Sequence, residues 1–192
     1  MFYLASRSPR RRQLLEAMGL EFSVLEPEID ERMREGETAE DAVGRLAMEK
    51  AAAGASMLGR DNAPVYPVLA ADTMVTIDGE VLGKPRGADR ASVMLERLSG
   101  RTHRVLTAVA VHDGDSVRHR TSESLVTMKP LARWEIERYW ASGEPRDKAG
   151  AYAIQGLGSG FVVRLEGSYS GVVGLPLYET RELLATVGID WL

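Results

Sequence analysis

Four arginines, Arg7, Arg10, Arg11 and Arg12, fall within six consecutive positions around Ser8-Pro9. Serine at an N-cap followed by proline at the first helical position predicts that a helix begins here. Cations in a first helical turn oppose the macrodipole by about 0.3–1 kcal/mol each, so their placement asks for a reason other than helix stability. Free backbone N–H groups, the Ser8 hydroxyl and the Arg10 and Arg11 guanidiniums together make a phosphate cradle. The competing reading is an ordinary cap with solvated arginines.

A second constellation is Ala70-Ala71-Asp72-Thr73, where two small residues deliver an acid to the end of a buried strand, a place where α/β proteins bind ligands. Asp78-Gly79 between β-formers predicts a two-residue hairpin turn. Counted outward from it, Ile77 faces Glu80, Val75 faces Leu82 and Thr73 faces Lys84, and directly opposed residues have Cβ atoms about 5 Å apart. Asp72, Thr73 and Lys84 are therefore expected to cluster, either as a reactive group or as a salt bridge at the base of a hairpin. Residues 148–156, Lys-Ala-Gly-Ala-Tyr-Ala-Ile-Gln-Gly, form a third. The Gln155 amide, one acceptor and two donor hydrogens, suits a pyrimidine edge with a carbonyl beside a ring N–H. It would equally satisfy a nearby loop.

Other signals fail on spacing. Gly83-Lys84-Pro85 lacks the upstream glycine and the following Ser/Thr of a phosphate-binding P-loop, and the glycines of 156–160 do not match a dinucleotide fingerprint. His103, His112 and His119 show no metal-ligand spacing and read as structural or surface residues. Trp134 and Trp140, six apart on one helix, read as core or dimer contacts.

The elements that must position these groups alternate. Strands are expected at 2–6, 22–25, 66–71, 73–77, 80–84, 104–112, 117–128 and 161–165. Helices are expected at 8–18, 38–58, 88–98, 132–141 and 178–187. Gly19 closes the first helix, whose buried face is Leu14, Leu15 and Met18. The fold class is α/β with a mixed, partly antiparallel sheet, in one domain over 1–192 without a linker.

Composition narrows the function. The chain has 192 residues, 44% of them hydrophobic and 27% charged, a net charge of −4 and no cysteine. One domain of this length buries about 70% of its unfolded surface and needs no staple. Disulfides, zinc–thiolate and iron–sulfur sites and cysteine nucleophiles are excluded. The acidic balance argues against bulk nucleic-acid binding. No apolar run approaches the ~18 residues of a membrane span. The N-terminus does not read as an export signal, so the expected location is the cytoplasm.

In order along nearly the whole chain, these segments resemble the Maf family of nucleoside triphosphate pyrophosphatases. The resemblance is carried by Ser6-x-Ser8-Pro9-Arg10-Arg11-x-x-Leu14, Ala71-Asp72-Thr73-x-Val75, Gly83-Lys84-Pro85, Gly100-x-x-His103-x-Val105-x-Thr107, residues 148–156, and Gly167-Ser168-Tyr169 through Gly174-Leu175-Pro176. Met128 stands where the family pattern has an aromatic residue. Residues 148–156 resemble the branch acting on dTTP and UTP rather than the sister branch associated with 7-methyl-GTP.

The resemblance implies hydrolysis of a nucleoside triphosphate to monophosphate and pyrophosphate with a divalent metal cation, Mg2+ or Mn2+. It implies Asp72 as proton acceptor and Arg10, Thr73 and Gln155 as specificity positions. It also implies an elongated fold with a deep cleft between two lobes, and a homodimer. Ser8, Arg11, Lys50 and Lys84 are candidates for the phosphates, and Asp72 with Glu31 for the metal. Whether Asp72 is a base or a metal ligand stays open at this level. Two other readings remain: a non-catalytic nucleotide sensor acting on septum formation, and a 7-methyl-GTP pyrophosphatase. A kinase would need a P-loop or kinase signature that the sequence lacks.

Overall fold

The computed structural model describes residues 1–60 and 66–191. Residues 61–65 and 192, which a single domain over 1–192 would include, lie outside the described residues. The elements run β1 (Phe2–Ala5), α1 (Pro9–Ala17), β2 (Phe22–Leu25), α2 (Ala39–Arg60), β3 (Val68–Ile77), β4 (Glu80–Leu82), α3 (Ala88–Leu98), β5 (Thr102–His112), β6 (Val117–Met128), α4 (Arg133–Ala141), β7 (Val162–Glu166), α5 (Tyr169–Val173) and α6 (Leu177–Ala185).

The signals at the ends of α1 act as read. Ser8 is extended (φ −73°, ψ 117°) with Pro9 next to it, although its hydroxyl makes no capping bond. At the other end Gly19 adopts φ +70°. Its N–H donates to Glu16 O at 2.9 Å and the Leu20 N–H to Leu15 O at 3.2 Å, the paired bonds of a Schellman stop. Leu15 is fully buried and Leu14 packs beside it. Met18, expected inside, is 37% exposed, because it already belongs to the turn that leads the chain off the helix. The start of α2 is capped by Thr38, whose hydroxyl oxygen accepts the Asp41 N–H at 3.1 Å. Glu40 and Asp41 follow in the first turn, where the dipole favours them.

β3 is one strand where the sequence suggests two. No glycine or proline interrupts residues 68–77, so nothing breaks the ladder at Asp72. The turn after it has Asp78 at φ 54° and Gly79 at φ 77°, the positive pair of a type I′ hairpin. Register pairs Ile77 with Glu80 and Val75 with Leu82, as counted from the turn, but the ladder ends there. Thr73 and Lys84 lie beyond it, and Lys84 is exposed.

Among the described residues the sheet has seven strands, in the order β2-β1-β3-β5-β6-β7 with β4 on β3. β1 is parallel to both β2 and β3, whereas β4 on β3 and β7 on β6 are antiparallel, so the sheet is mixed as expected. By contacts the chain divides into two units. One comprises Met1–Asp72, Thr107–Ser122 and Gly174–Leu192, and the other Thr73–Leu106 and Glu123–Val173. In the first, Phe2, Leu4, Leu69, Val109, Val111 and Leu183 form a core with Leu15. In the second, α3 buries Ala91, Met94, Leu95 and Leu98, and Met128 is 1% exposed. No described helix is long and apolar enough to cross a membrane.

Candidate functional site

In the first unit the site is built on β3 and α2. Asp72 is 9% exposed and follows Ala70 and Ala71, both fully buried. α2 approaches the strands at Gly54, where an added Cβ would lie 3.0 Å from Val68 Cγ1 and 3.1 Å from Ala5 Cβ. Lys50 and Asp72 each stand four residues from a partner in this contact: Lys50 precedes Gly54 on the same helix face, and Asp72 follows Val68 on the same strand face. Four residues advance a strand by about 13 Å and a helix by about 6 Å, and the long lysine stem covers the remainder. Its Nζ donates to Asp72 Oδ1 at 2.6 Å and pairs with Glu31 Oε1 at 2.7 Å. Lys50 and Asp72 side chains are each 13% exposed, Glu31 59%.

α1 supplies the other cation. Arg11 Nε donates to Gly174 O at 2.7 Å and its Nη1 to Ser6 Oγ at 3.3 Å. The same Ser6 oxygen accepts the Ser8 N–H at 3.1 Å, so one buried hydroxyl fixes both the arginine and the start of the helix. Burial lowers the pKa of Arg11 from its ordinary value. The Asp72 carboxylate opposes this, Arg10 adds to it, and Glu31 opposes it. Arg11 is thus a desolvated cation that senses both carboxylates. Ser8 and Arg10 are partly buried beside it.

The loop that carries Glu31 is tied to α2 by Arg45, which the sequence reading overlooked. Its guanidinium donates to both Glu37 oxygens, to Glu49 at 3.0 Å and to Arg32 O at 3.2 Å. The Arg45 bond and the Arg34 N–H hold Glu37 down to about 2. Only the Arg45–Glu49 (i, i+4) spacing signalled any of this in advance.

No group of three or more His, Cys, Asp or Glu that could hold a metal occurs among the described residues. Two carboxylates, Asp72 and Glu31, do converge on one cationic point, the Lys50 ammonium. One or two carboxylates completed by substrate phosphates is the usual donor set for Mg2+, so these residues fit such a cation.

In the second unit Thr73 is partly buried, and residues 148–156 lie against the hairpin. Gly150 (φ +68°) donates its N–H to Gly83 O at 3.2 Å, and a Cβ on it would meet Val75 Cγ1 at 3.0 Å, so only glycine fits. Ala151, Tyr152, Ala153 and Ile154 are buried. The Tyr152 hydroxyl lies 2.8 Å from His103 Nε2, with the rings edge to face at 5.3 Å. Burial pushes His103 down to about 4 and raises Tyr152, so both are neutral. His103 is structural, as expected. Gln155 is half-buried, and its amide meets no hydrogen-bond partner among the described residues. Trp134, expected in a core or an interface, is 63% exposed. Trp140 lies under the Arg146 guanidinium at 5.7 Å.

A family model described as "Maf-like protein" matches residues 1–187. A "dTTP/UTP pyrophosphatase" of Alkalilimnicola ehrlichii is 54% identical, covering 98% of this chain and 94% of its own length. Another of that name, from Methylococcus capsulatus, is 56% identical over 97% and 90%. A "Nucleoside triphosphate pyrophosphatase" of Haemophilus ducreyi is 50% identical over 98% and 95%.

Proposed function

The chain belongs to the Maf family, and from that premise we infer that it is a nucleoside triphosphate pyrophosphatase whose substrates are dTTP and UTP. The observation that carries this reading is the buried Asp72 carboxylate bonded to Lys50, with Arg11 desolvated close enough to sense it. A triphosphate is the natural competitor for such cations: it can take Lys50 and Arg11 in exchange for the carboxylates they now face.

In the reaction, water attacks the α-phosphorus and its proton passes to Asp72. The new P–O bond forms as the bond from the α-phosphorus to the bridging oxygen breaks, releasing pyrophosphate. Lys50, Arg11, Ser8 and Lys84 offset the charge growing on the leaving group. Arg10, Thr73 and Gln155 select the substrate, and the Gln155 amide matches the carbonyl and ring N–H shared by thymine and uracil. A divalent cation, Mg2+ or Mn2+, would be held by Asp72 and Glu31 and would supply further charge neutralisation to the phosphates. The same reading makes the enzyme cytoplasmic and, following the family resemblance, a homodimer.

The test is pyrophosphate release from a panel of triphosphates with Mg2+, with the nucleotide product identified. dTTP and UTP are expected to yield their monophosphates. Tight binding without release would make the protein a sensor, and cleavage of 7-methyl-GTP alone would overturn the choice of substrate while leaving the chemistry.

A further inference from the structure

Among the described residues Gln155 has no side-chain partner, so its backbone must set where its amide points, and that backbone is held on both sides by one hydrogen-bonded pair. The Tyr139 hydroxyl of α4 accepts the Ala153 N–H at 3.1 Å, two residues before Gln155. The same hydroxyl donates to Glu144 Oε1 at 2.7 Å. Glu144 in turn accepts the Gly158 N–H on Oε1 and the Leu157 N–H on Oε2, each at 2.9 Å, so it caps the 3-10 turn Gly156–Phe161 that begins just after Gln155.

The fit is tight. A Cβ at Gly156 would collide with the Glu144 carboxylate, and one at Gly158 with Ala153 O and the Tyr139 hydroxyl. Gly156 is also at φ +65°, a conformation that strains any side chain. The Tyr139 ring stands edge-on to Phe161 at 5.0 Å, which keeps the hydroxyl aimed. Burial disfavours ionisation of Glu144, but the bonds from Gly158, Tyr139 and Leu157 outweigh it, and its carboxyl lies below the ordinary range.

We propose that Tyr139 and Glu144 are positioning residues for pyrimidine recognition: they clamp residues 153 and 157–158 so that the Gln155 amide is presented unpaired and in one orientation to the base. The proposal rests on the reading of Gln155 as the base-selecting residue. Glu144 suits the task because a carboxylate only accepts. It takes three donors at once, and an amide in its place would turn an NH2 toward one of them.

The test compares Tyr139→Phe, Glu144→Gln, Gln155→Ala and the double variant Tyr139→Phe/Gln155→Ala. It reads kcat and KM for dTTP and for dGTP, together with the melting temperature. Tyr139→Phe keeps the ring on Phe161 and removes only the hydroxyl. It is expected to raise KM for dTTP about tenfold, to leave kcat within about twofold, and to narrow the preference for dTTP over dGTP. Glu144→Gln is expected to do the same despite its matching shape. In the Gln155→Ala background the Tyr139 effect on base preference should vanish.

If both single variants lower the melting temperature but leave KM and base preference unchanged, the clamp is structural only and the proposal falls while Gln155 keeps its role. Full additivity in the double variant would also overturn it. If Gln155→Ala itself leaves base preference intact, the assignment of Gln155 falls and takes the clamp's function with it.

Discussion

Lys50 Nζ lies 2.6 Å from Asp72 Oδ1, both side chains almost wholly out of water. A buried ion pair of this kind is poor evidence for stability, since desolvation cancels much of its attraction. Its presence within β3, directly after two buried alanines, is better explained by use. The lysine holds the acid in place, and in the proposed function it is also the cation that a phosphate claims.

Asp72→Asn keeps the shape of the side chain and removes its capacity to accept a full proton. Turnover of dTTP is expected to fall by a factor of about 10²–10⁴, with the fold retained, because Lys50 keeps its ion pair with Glu31 at 2.7 Å when the Asp72 charge is removed. Pyrophosphate release and circular dichroism on the same preparation check both halves. Near-parental turnover would remove Asp72 from the chemistry.

Lys50→Met should behave differently. It strands the Asp72 carboxylate in a dry site, a loss of about 3 kcal/mol by comparison with other broken buried pairs, and it also lowers affinity for the triphosphate. Urea unfolding of Lys50→Met beside the double variant Lys50→Met/Asp72→Asn is the check. The double variant should recover part of the loss, and a failure to do so would mean that the pair is not what the single variant disrupts.

Gln155→Glu replaces a donor–acceptor amide by a group that only accepts. Discrimination between pyrimidine and purine triphosphates is expected to relax by about tenfold, read as a ratio of kcat/KM values. An unchanged profile would end the case for Gln155 as the base reader.

His103 gives a pH dependence whose sign follows from its burial. Its pKa is pushed down to about 4 in the folded chain against about 6.5 when unfolded. The unfolded state therefore binds more protons as pH falls between these values, and stability drops with it. About 2 kcal/mol should disappear between pH 7 and pH 5. Chemical denaturation of the parent and of His103→Asn measures it, and an equal slope in the variant would assign the effect elsewhere.

Local signals carried far along this chain. Ser8-Pro9, Gly19 and Asp78-Gly79 marked the ends of elements because each acts within a few residues, through a fixed φ or a capped N–H. α3 and β6 fall at 88–98 and 117–128 as their patterns predicted. The short helix α5 and the 3-10 turns at Glu144–Asp147 and Ala149–Ala151 gave no such pattern, since elements of three to five residues complete at most one helical repeat. The division of residues 66–77 into two strands failed because an acid in a strand looks like an end unless its cation is known.

The sequence alone determined which chemistry is available: arginines at a helix start, an acid after two alanines, an unbranched amide in a run of small residues, and no thiol. Only tertiary structure decided who meets whom. Lys50 reaches Asp72 across 22 residues and Arg11 reaches Gly174 across 163, and Tyr139 and Glu144 became relevant only once the loop of Gln155 folded back on α4. Such contacts depend on how closely packed backbones approach, at Gly54, Gly150 and Gly158 above all, and that distance is a property of the folded chain rather than of any local run of residues.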